Sequence, residues 1–445
     1  MLAFAIEDKL AERKALQMKR REFLQTAGAT AAAFTILKSR AAFGYQANSA
    51  VRMALLGCGN RGTHVASSFS QNTQAQVVAL ADLFVDQLDI AKAHFDQLNA
   101  TLDRSPIDPR LMFRGPKAFE KLAESSDVDM IQISTPPFFH VEHLEAVVSA
   151  GKHAYCEKPV GIDVKQAKHA LTIAQRVHRN QSVDVGFQCR NAPPIAAIAD
   201  KIKAGALGKV ATVSGYYYAP ASKEKAGQLL DKGAAAHDEY RLRNWLWDRA
   251  LSGDILVEQN IHIIDLCNWI LGAHPTKAMA TGGRNVLTHA GDCWDNYQVE
   301  FTYPNGERLS FASKQFGEYT MFEAGLRLFG PEGAANVPYS GPVEIVGSQP
   351  WSWTESMNSA TASGKFAANG AFGDNLAFAD RDKERTFIDS IVGGAAHNQI
   401  AAGVETAMSC MLGRMAGLQG HEVSWEQLEA HGESYQLGMD LKQFA

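Results

Sequence analysis

A glycine pattern near residue 60 constrains the fold of this chain more than any other feature. Gly57, Gly59 and Gly62 follow the apolar run Val51–Leu56 and open a stretch with helical character. The first glycine permits a tight turn, the second lets a ligand approach the backbone, and the third lets helix pack on strand. The helix N-terminus then offers N–H groups and a positive dipole to phosphates. The residues predicted to bind a dinucleotide pyrophosphate here are Gly57, Gly59, Asn60, Arg61 and Gly62.

An acidic residue stands where the ribose of such a ligand would lie. Asp82 ends the next strand-like run, Val77–Ala81, 20 residues after Gly62. A carboxylate there accepts hydrogen bonds from ribose hydroxyls and repels a 2′-phosphate, so the sequence favours NAD over NADP. The alternative is a glycine-rich turn followed by a surface aspartate. The register of strand, helix and acid favours the NAD site.

The first part of the chain alternates strand-like and helical segments. The predicted strands are Val51–Leu56, Val77–Ala81, Met130–Ser134 and His153–Cys156. Strands that alternate with helices predict an α/β fold with a doubly wound parallel sheet. We therefore predict an N-terminal NAD-binding Rossmann domain over residues 51–180.

The remaining chain, residues 181–445, has longer strands and fewer intervening helices. Its predicted strands are Val210–Tyr218, Tyr297–Tyr303, Arg308–Lys314 and Leu326–Phe329; its predicted helices are Val257–Leu271 and Gly403–Gly417. This pattern predicts a C-terminal α+β domain with a large, mostly antiparallel sheet for substrate binding and oligomerisation. Residues 219–238 and 347–374 are predicted to be long loops or insertions.

Composition narrows the function. The 445 residues include 43 Lys and Arg against 48 Asp and Glu, a formal net charge of −5, which gives no support for nucleic-acid binding. No stretch has the roughly 20 apolar residues of a membrane-spanning helix. The six cysteines form no close pair, so they predict reduced, buried thiols and no metal site.

The first 50 residues read as an export signal and linker. Lys19, Arg20 and Arg21 precede a mild apolar run at residues 27–37, and small residues follow. This order is typical of a twin-arginine signal, so we expect export to the periplasm by the twin-arginine machinery. Met18 is the expected true start. The alternative is a basic amphipathic helix.

Two further motifs identify a family. Ser134, Thr135, Pro136 and Pro137 precede His140, and the later stretch 151–159 ends in Cys156, Glu157, Lys158 and Pro159. With these motifs, residues 51–427 resemble the Gfo/Idh/MocA family of NAD(P)-dependent oxidoreductases, which act mostly on sugars and polyols. The resemblance implies an enzyme and a homo-oligomer. It also implies additional cofactor contacts at Thr135, Pro136, His140, Glu157, Lys158 and Gln188.

Lys158 is the first catalytic candidate. Oxidation of a secondary alcohol requires removal of the hydroxyl proton, which a positioned Lys or His can accept. Lys158 follows a predicted parallel strand, at the edge where doubly wound sheets bind ligands. A lysine that closes a surface turn is the alternative from the residues alone. The resemblance assigns Lys158 a catalytic or substrate-orienting role.

The second candidate cluster lies at residues 258–265. Glu258, His262 and Asp265 are spaced to share one helical face, where a carboxylate can fix the tautomer of a histidine. A solvated polar stripe is the alternative. The stretch resembles the family's catalytic segment with Glu258 in place of the usual Asp. The resemblance makes His262 the general base or acid, Lys158 its partner, and Glu258 and Asp265 orienting groups.

Further residues are predicted at the substrate. Arg190, in a segment that resembles the entry to the family's second domain, is a predicted substrate contact together with Lys158, His262 and Trp245. Residues 216–218, Arg243 and Trp247 could complete an aromatic wall that packs on the apolar face of a sugar ring. The same residues could equally form core or an oligomer surface.

Export adds a constraint on the reaction, because no soluble nicotinamide pool exists outside the cytoplasm. We therefore expect a tightly bound cofactor, recycled by paired oxidation and reduction of carbohydrate or polyol substrates. An NAD-dependent glycosidase, which oxidises a ring carbon, eliminates the aglycone, adds water and reduces the ketone, is the alternative. The His-Gly-containing segment of the exported glycosidases is replaced here by residues 259–262. A non-catalytic sugar-binding module is disfavoured by the presence of Lys158 and His262.

Overall fold

A computed structural model describes residues 50–220, 234–287, 291–317, 322–354 and 373–445. The predicted export signal lies outside the described residues except for Ala50, and so do most of the two predicted long loops. Within the described part, no helix is long and apolar enough to cross a membrane. Each of the six cysteines is described, and each is buried and unpaired, as the sequence predicted.

The first sheet of the described chain has six strands and is parallel throughout. Its order, β3-β2-β1-β4-β5-β6, reverses direction between β1 and β4, and dinucleotides bind in the crevice at such a reversal. The strands are β1 (Val51–Leu56), β2 (Ala75–Asp82), β3 (Met112–Arg114), β4 (Met130–Ile133), β5 (His153–Cys156) and β6 (Val183–Val185). The sixth strand places the end of this sheet just beyond residue 180.

Helices cover both faces of this sheet, as the doubly wound prediction requires. They are α1 (Asn60–Asn72), α2 (Val85–Thr101), α3 (Ala118–Glu124), α4 (His140–Ser149) and α5 (Val164–Ala174). The strands are almost entirely apolar and buried because helices exclude water from each side. Met53 and Leu55 on β1, for example, have no solvent exposure.

A second sheet of nine described strands follows, with the order β14-β13-β12-β11-β7-β10-β9-β8-β15. Strands β7 and β10 are parallel and the other described pairs are antiparallel. The strands are β7 (Thr212–Ala219), β8 (Lys277–Gly283), β9 (Asn296–Thr302), β10 (Arg308–Gln315), β11 (Glu323–Gly330), β12 (Gly333–Pro338), β13 (Glu344–Gly347), β14 (Trp351–Ser352) and β15 (Val423–Ser424). The predicted large, mostly antiparallel sheet is therefore confirmed.

Helices pack on one face of the second sheet and leave the other open. Those that contact its strands are α6 (Pro193–Lys203), α10 (Ile261–Leu271), α12 (Ile400–Gln419) and α13 (Trp425–His431). The other helices in this part of the described chain are α7 (Ala234–Arg243), α8 (Arg249–Ser252), α9 (Ile255–Glu258) and α11 (Ala379–Val392). Helix α11 packs on α1 of the first domain, where the rings of Phe387 and Phe69 are in contact. Helix α12 also reaches the first sheet. A Cβ added at Gly403 would lie 3.0 Å from Val160 and 3.1 Å from Val185, so glycine permits this close packing.

The predicted helix Val257–Leu271 is wrong in one respect, because the chain forms two helices there. The N–H of Asn260 donates to the carbonyl of Ile255, five residues back, and that of Ile263 donates to the carbonyl of Asn260. This widened turn interrupts the α-helical register after Glu258. Glu258 and His262 consequently do not share the face of a single continuous helix.

Candidate active site

Steric contacts in the turn between β1 and α1 explain the glycine pattern. Gly57 has φ of +94°, and a Cβ there would lie 2.6 Å from the backbone carbonyl group of Ser134. A Cβ at Gly62 would lie 2.2 Å from the carbonyl oxygen of Gly57. Gly59 caps α1 without a side-chain hydrogen bond and has open space around the position of a Cβ. The helix N-terminus is therefore accessible to a phosphate.

Asp82 is held rigidly beside this turn. Its carboxylate accepts the N–H of Cys58 at 2.7 Å and the N–H of Phe84 at 2.9 Å. Burial raises the pKa of the Asp82 carboxyl, and the backbone donors oppose that effect. Gly57, Gly59 and Asp82 line one cavity of about 870 Å³, which we call the adenosine cavity. The open turn and the oriented acid fit the pyrophosphate and ribose of NAD.

Arg61 forms an ion-pair network that the sequence did not reveal. Its guanidinium donates to Glu157 at 2.9 Å and, through two nitrogens, to Asp380 on α11 at 2.7 and 2.9 Å. Burial raises the pKa of Asp380, but the Arg61 guanidinium outweighs burial and the net shift is downward. Arg61 and Glu157 line the adjoining cavity, as predicted for cofactor contacts, although their charges pair within the protein. No sequence signal linked Asp380, 319 residues away, to this site.

His140 joins the two motifs on which the resemblance rests. Its ring nitrogens lie 2.7 Å from the carbonyl oxygen of Thr135 and 2.8 Å from that of Pro159. Thr135 and His140 line the same cavity as Lys158, and Pro136 lines the adenosine cavity. His140 therefore holds together the loops that follow β4 and β5.

Lys158 is paired with Glu258. The Lys158 Nζ donates to the Glu258 Oε1 at 2.6 Å and to the Glu258 carbonyl oxygen at 2.5 Å, and both side chains are largely buried. The prediction that Glu258 orients His262 is wrong, since its carboxylate binds the ammonium of Lys158. The interrupted helix turns Glu258 toward Lys158, and a charged donor binds a carboxylate more strongly than a neutral one.

His262 lies in the same cavity and is uncharged. It is 8% exposed, and its Nδ1 has no hydrogen-bond partner among the described residues. Burial, with the positive charges of Lys158 and Arg61, holds the pKa of His262 well below its usual range. A neutral imidazole can accept a proton, as a general base requires.

Asp265 and Arg190 do not line this cavity. The Arg190 guanidinium donates to both carboxylate oxygens of Asp265, at 2.8 and 2.5 Å, and Thr406 Oγ1 donates to Asp265 at 3.1 Å. The Asp265 side chain is 1% exposed. Asp265 as an orienting group for His262 is therefore wrong, whereas the role of Arg190 as a substrate contact stays a prediction. A buried charge needs a partner of opposite charge, and the Arg190 guanidinium and the Asp265 carboxylate serve as partners for each other.

The cavity that contains Lys158 and His262 has an aromatic wall. Trp245 and Trp247 line it as predicted, but of residues 216–218 the middle one, Tyr217, faces it, because side chains alternate along β7. Phe322 and Tyr339 complete the wall and were not identified from the sequence. We call this space, of about 260 Å³, the substrate cavity.

Two amide groups in the substrate cavity have unused acceptors. Gln188, a predicted cofactor contact, and Gln259 both line the cavity. The Oε1 atoms of both are buried and have no hydrogen-bond partner among the described residues. Buried polar atoms are normally satisfied, so these acceptors fit a ligand that carries hydroxyl donors.

The fold and the site together define a class, a two-domain dinucleotide-dependent oxidoreductase. The profile described as an oxidoreductase family with an NAD-binding Rossmann fold matches residues 51–185. The GFO/IDH/MocA C-terminal domain matches residues 195–336. The chain therefore belongs to the Gfo/Idh/MocA oxidoreductase family, and its first domain is the NAD-binding domain of that family.

Comparison with individual proteins of this kind gives low sequence identities. The chain is similar to inositol 2-dehydrogenase of Rhizobium meliloti, with 24% identity over 297 residues, which are 66% of this chain and 78% of the relative. It is 32% identical over 130 residues to a glycosyl hydrolase family 109 protein of Shewanella amazonensis, over 29% of this chain and 27% of that protein. A levoglucosan dehydrogenase structure in complex with NADH and levoglucosan shares the fold, with a TM-score of 0.65 and 16% identity over 85% of this chain and 100% of that one.

Proposed function

We propose that this enzyme oxidises a secondary alcohol of a carbohydrate or polyol with an NAD that stays bound between half-reactions. The observation that carries the substrate class is the pair of buried Gln188 and Gln259 acceptors, unpartnered among the described residues, in a cavity that aromatic side chains also line. Sugars and cyclitols combine hydroxyl donors with apolar ring faces, which such a cavity matches. The similar inositol and levoglucosan dehydrogenases are named for substrates of this class, which supports the proposal.

The chain's own residues divide the chemistry between them. When bound, the nicotinamide supplies the hydride-transfer chemistry. The neutral imidazole of His262 accepts the hydroxyl proton. Lys158 Nζ has three N–H donors, of which Glu258 accepts two, and the third is available to the substrate hydroxyl oxygen. Residues 57–62 and Asp82 hold the cofactor, and the acid at 82 disfavours NADP.

The export signal is the reason to propose internal recycling. If residues 1–50 direct the folded protein to the periplasm, released NADH would have no soluble pool in which to be reoxidised. The cofactor that residues 57–62 and Asp82 would hold would then have to supply hydride transfer in both directions, so that one alcohol is oxidised while a second carbonyl substrate is reduced.

A deuterium-transfer experiment tests this reaction. The purified protein is incubated, without added NAD, with a sugar or cyclitol panel deuterated at the carbinol carbon and with unlabelled keto-sugar acceptors. We expect deuterium to appear on the acceptor's new carbinol carbon over many turnovers, as mass spectrometry would detect. Oxidation that proceeds only with added NAD and yields free NADH would instead establish an exchanging dehydrogenase.

A glycosidase is the second candidate, and the family 109 relative is the observation that favours it. Transient oxidation of one ring carbon makes the hydrogen on its neighbour acidic, so elimination and water addition would exchange that hydrogen with solvent. Release of aglycone from nitrophenyl glycosides in deuterated water, with deuterium at the neighbouring carbon, would favour this reaction over paired oxidoreduction.

We also infer a homo-oligomer formed through the open face of the second sheet. Met279 on β8, Phe329 on β11 and Val346 on β13 are 53%, 41% and 56% exposed on this sheet. Exposed apolar patches on a sheet commonly mark protein contacts. Light scattering that finds a monomer at micromolar concentration would contradict this inference.

A further inference from the structure

The last described residues, 433–445, show a burial pattern that surface loops lack. Tyr435, Leu437, Met439 and Leu441 are half-buried, whereas the residues between them are exposed. An inward-facing residue at every second position indicates a segment that lies along a surface with one side against it. The inward side chains are almost all apolar, so the segment presents an apolar row to the body of the protein.

Several contacts fix this segment in place. At its start, Glu433 forms an ion pair with the fully buried Arg414, and the N–H of Tyr435 donates to Asp163 at 2.8 Å. Further on, Arg241 on α7 donates to the carbonyl of Leu437 at 3.2 Å. At its end, the ring of Phe444 contacts the ring of Phe84, and the side-chain amide of Gln443 donates a hydrogen bond to Asp238.

The apolar row forms one wall of the adenosine cavity. Leu437, Met439 and Leu441 line the cavity that Gly57 and Asp82 line from the first sheet. Since the glycine turn fixes the pyrophosphate and Asp82 the ribose, the base must lie in the remaining part of the cavity. A flat purine needs apolar surface on its faces, and methionine packs well on aromatic rings.

A clasp of side chains joins two parts of the chain at the same cavity. Arg243 on α7 donates to Asp86 at 3.1 and 3.0 Å and lies 4.0 Å from the ring centroid of Phe84. Asp86 and Phe84 belong to the chain just after β2, whereas Arg243 belongs to the second half of the chain. Both partners of the ion pair line the cavity, so the clasp lies beside the apolar row at the space that the adenosine half would occupy.

We propose that residues 437–441 are a binding element for the adenosine half of NAD and that they slow its release. The proposal rests on the proposed function, because it supplies the physical reason for a cofactor that stays bound between half-reactions. It assigns a cofactor-binding role to Met439 and Leu441, which are more than 350 residues from the glycine turn in the sequence.

A pair of charge substitutions in the full-length protein tests the proposal. Met439→Asp places a carboxylate inside the cavity, and Gln436→Asp adds the same charge on the exposed side of the same segment. Protein loaded with NADH is chased with excess NAD, and the decay of nicotinamide fluorescence gives the release rate. Calorimetry with ADP-ribose and with reduced nicotinamide mononucleotide then measures the two halves of the cofactor separately.

We expect the Met439→Asp protein to release NADH at least about tenfold faster and to bind ADP-ribose more weakly by a similar factor. The reason is that the introduced carboxylate would lose its water against the adenine ring. Binding of the mononucleotide should not change, and Gln436→Asp should behave like wild type. Met439→Ala, a milder change, should give an intermediate release rate. Equal release rates and ADP-ribose affinities for wild type, Met439→Asp and Met439→Ala would overturn the proposal while leaving the proposed function intact. A wild-type protein that is purified free of nucleotide and binds neither NADH nor ADP-ribose would overturn both.

Discussion

Charge pairing at single residues determines which group in the substrate cavity can move a proton. Lys158 is bound by Glu258, and Arg61 is bound by Glu157 and Asp380, so both cations are neutralised within the protein. His262 lies near these cations and receives no carboxylate. The imidazole therefore remains neutral and basic, while the ammonium of Lys158 remains available as a hydrogen-bond donor.

Lys158→Ala tests the role of the ammonium. We expect kcat/KM to fall by roughly 10²–10⁴-fold, the usual contribution of a positioned proton-transfer partner. NADH binding should be much less affected, because the glycine turn and Asp82, which we expect to hold the pyrophosphate and the ribose, are unchanged. Steady-state kinetics with a responsive sugar and fluorescence titration with NADH measure the two effects.

The matched control is Lys168→Ala, which removes an exposed lysine from α5 and should leave kinetics unchanged. A folded Lys158→Ala protein with wild-type turnover would remove Lys158 from the reaction.

The pH dependence of the reaction tests the state of His262. Its lowered pKa keeps the imidazole neutral as the pH falls to 6.5, the usual pKa of a histidine, and somewhat below. Proton acceptance needs the neutral form of His262. Protonation of His262 should therefore lower kcat/KM for alcohol oxidation only below pH 6.5. The profile measured from pH 5 to pH 8 checks this, with NMR titration of the imidazole as the direct measurement. An imidazole that titrates above pH 6.5 would contradict the account.

At the scale of secondary-structure elements, the widened turn at Asn260 separates His262 from Glu258, its predicted orienting group. A continuous helix would place Glu258 one turn before His262. The observed break between α9 and α10 brings Glu258 to Lys158 instead. The sequence offered no signal for this break, because residues 255–271 have the apolar composition of an ordinary buried helix. The presence of Lys158 and His262 at the candidate site could be predicted, but the pairing of Lys158 with Glu258 could not.

The Arg190–Asp265 pair connects two elements without entering the site. Asp265 lies on α10, and Arg190 lies in the turn before α6, which continues from β6. Arg190→Ala should lower the free energy of unfolding by about 3–5 kcal/mol, because it leaves the Asp265 carboxylate buried and unpaired. Urea unfolding followed by circular dichroism measures this change.

The double variant Arg190→Met with Asp265→Leu removes both charges and should recover much of the lost stability. Arg243→Ala is the comparison variant. It breaks an ion pair that is more exposed and should lower the free energy of unfolding far less. If Arg190→Ala unfolds like wild type but raises KM for the substrate severalfold, Arg190 would be a substrate contact after all.

For the molecule as a whole, local patterns predicted the architecture better than they predicted contacts across the fold. The alternation of strand-like and helical segments from Val51 onward was sufficient to predict the parallel sheet. Long strand-like segments with few helices between them, such as the predicted strand Arg308–Lys314, predicted the second sheet. Short strands such as Trp351–Ser352 could not be predicted, since two residues carry no periodic signal. The Arg61–Asp380 bond and the apolar row at residues 437–441 depend on tertiary packing between distant parts of the chain.

The central claim is that the two-domain fold holds NAD captive beside Lys158 and His262. The most direct measurement is to purify the protein without added cofactor, denature it and identify the released nucleotide by mass spectrometry. The account predicts stoichiometric NAD or NADH. An empty protein that binds NAD only weakly would contradict the captive cofactor, and released NADP would contradict the assignment of Asp82.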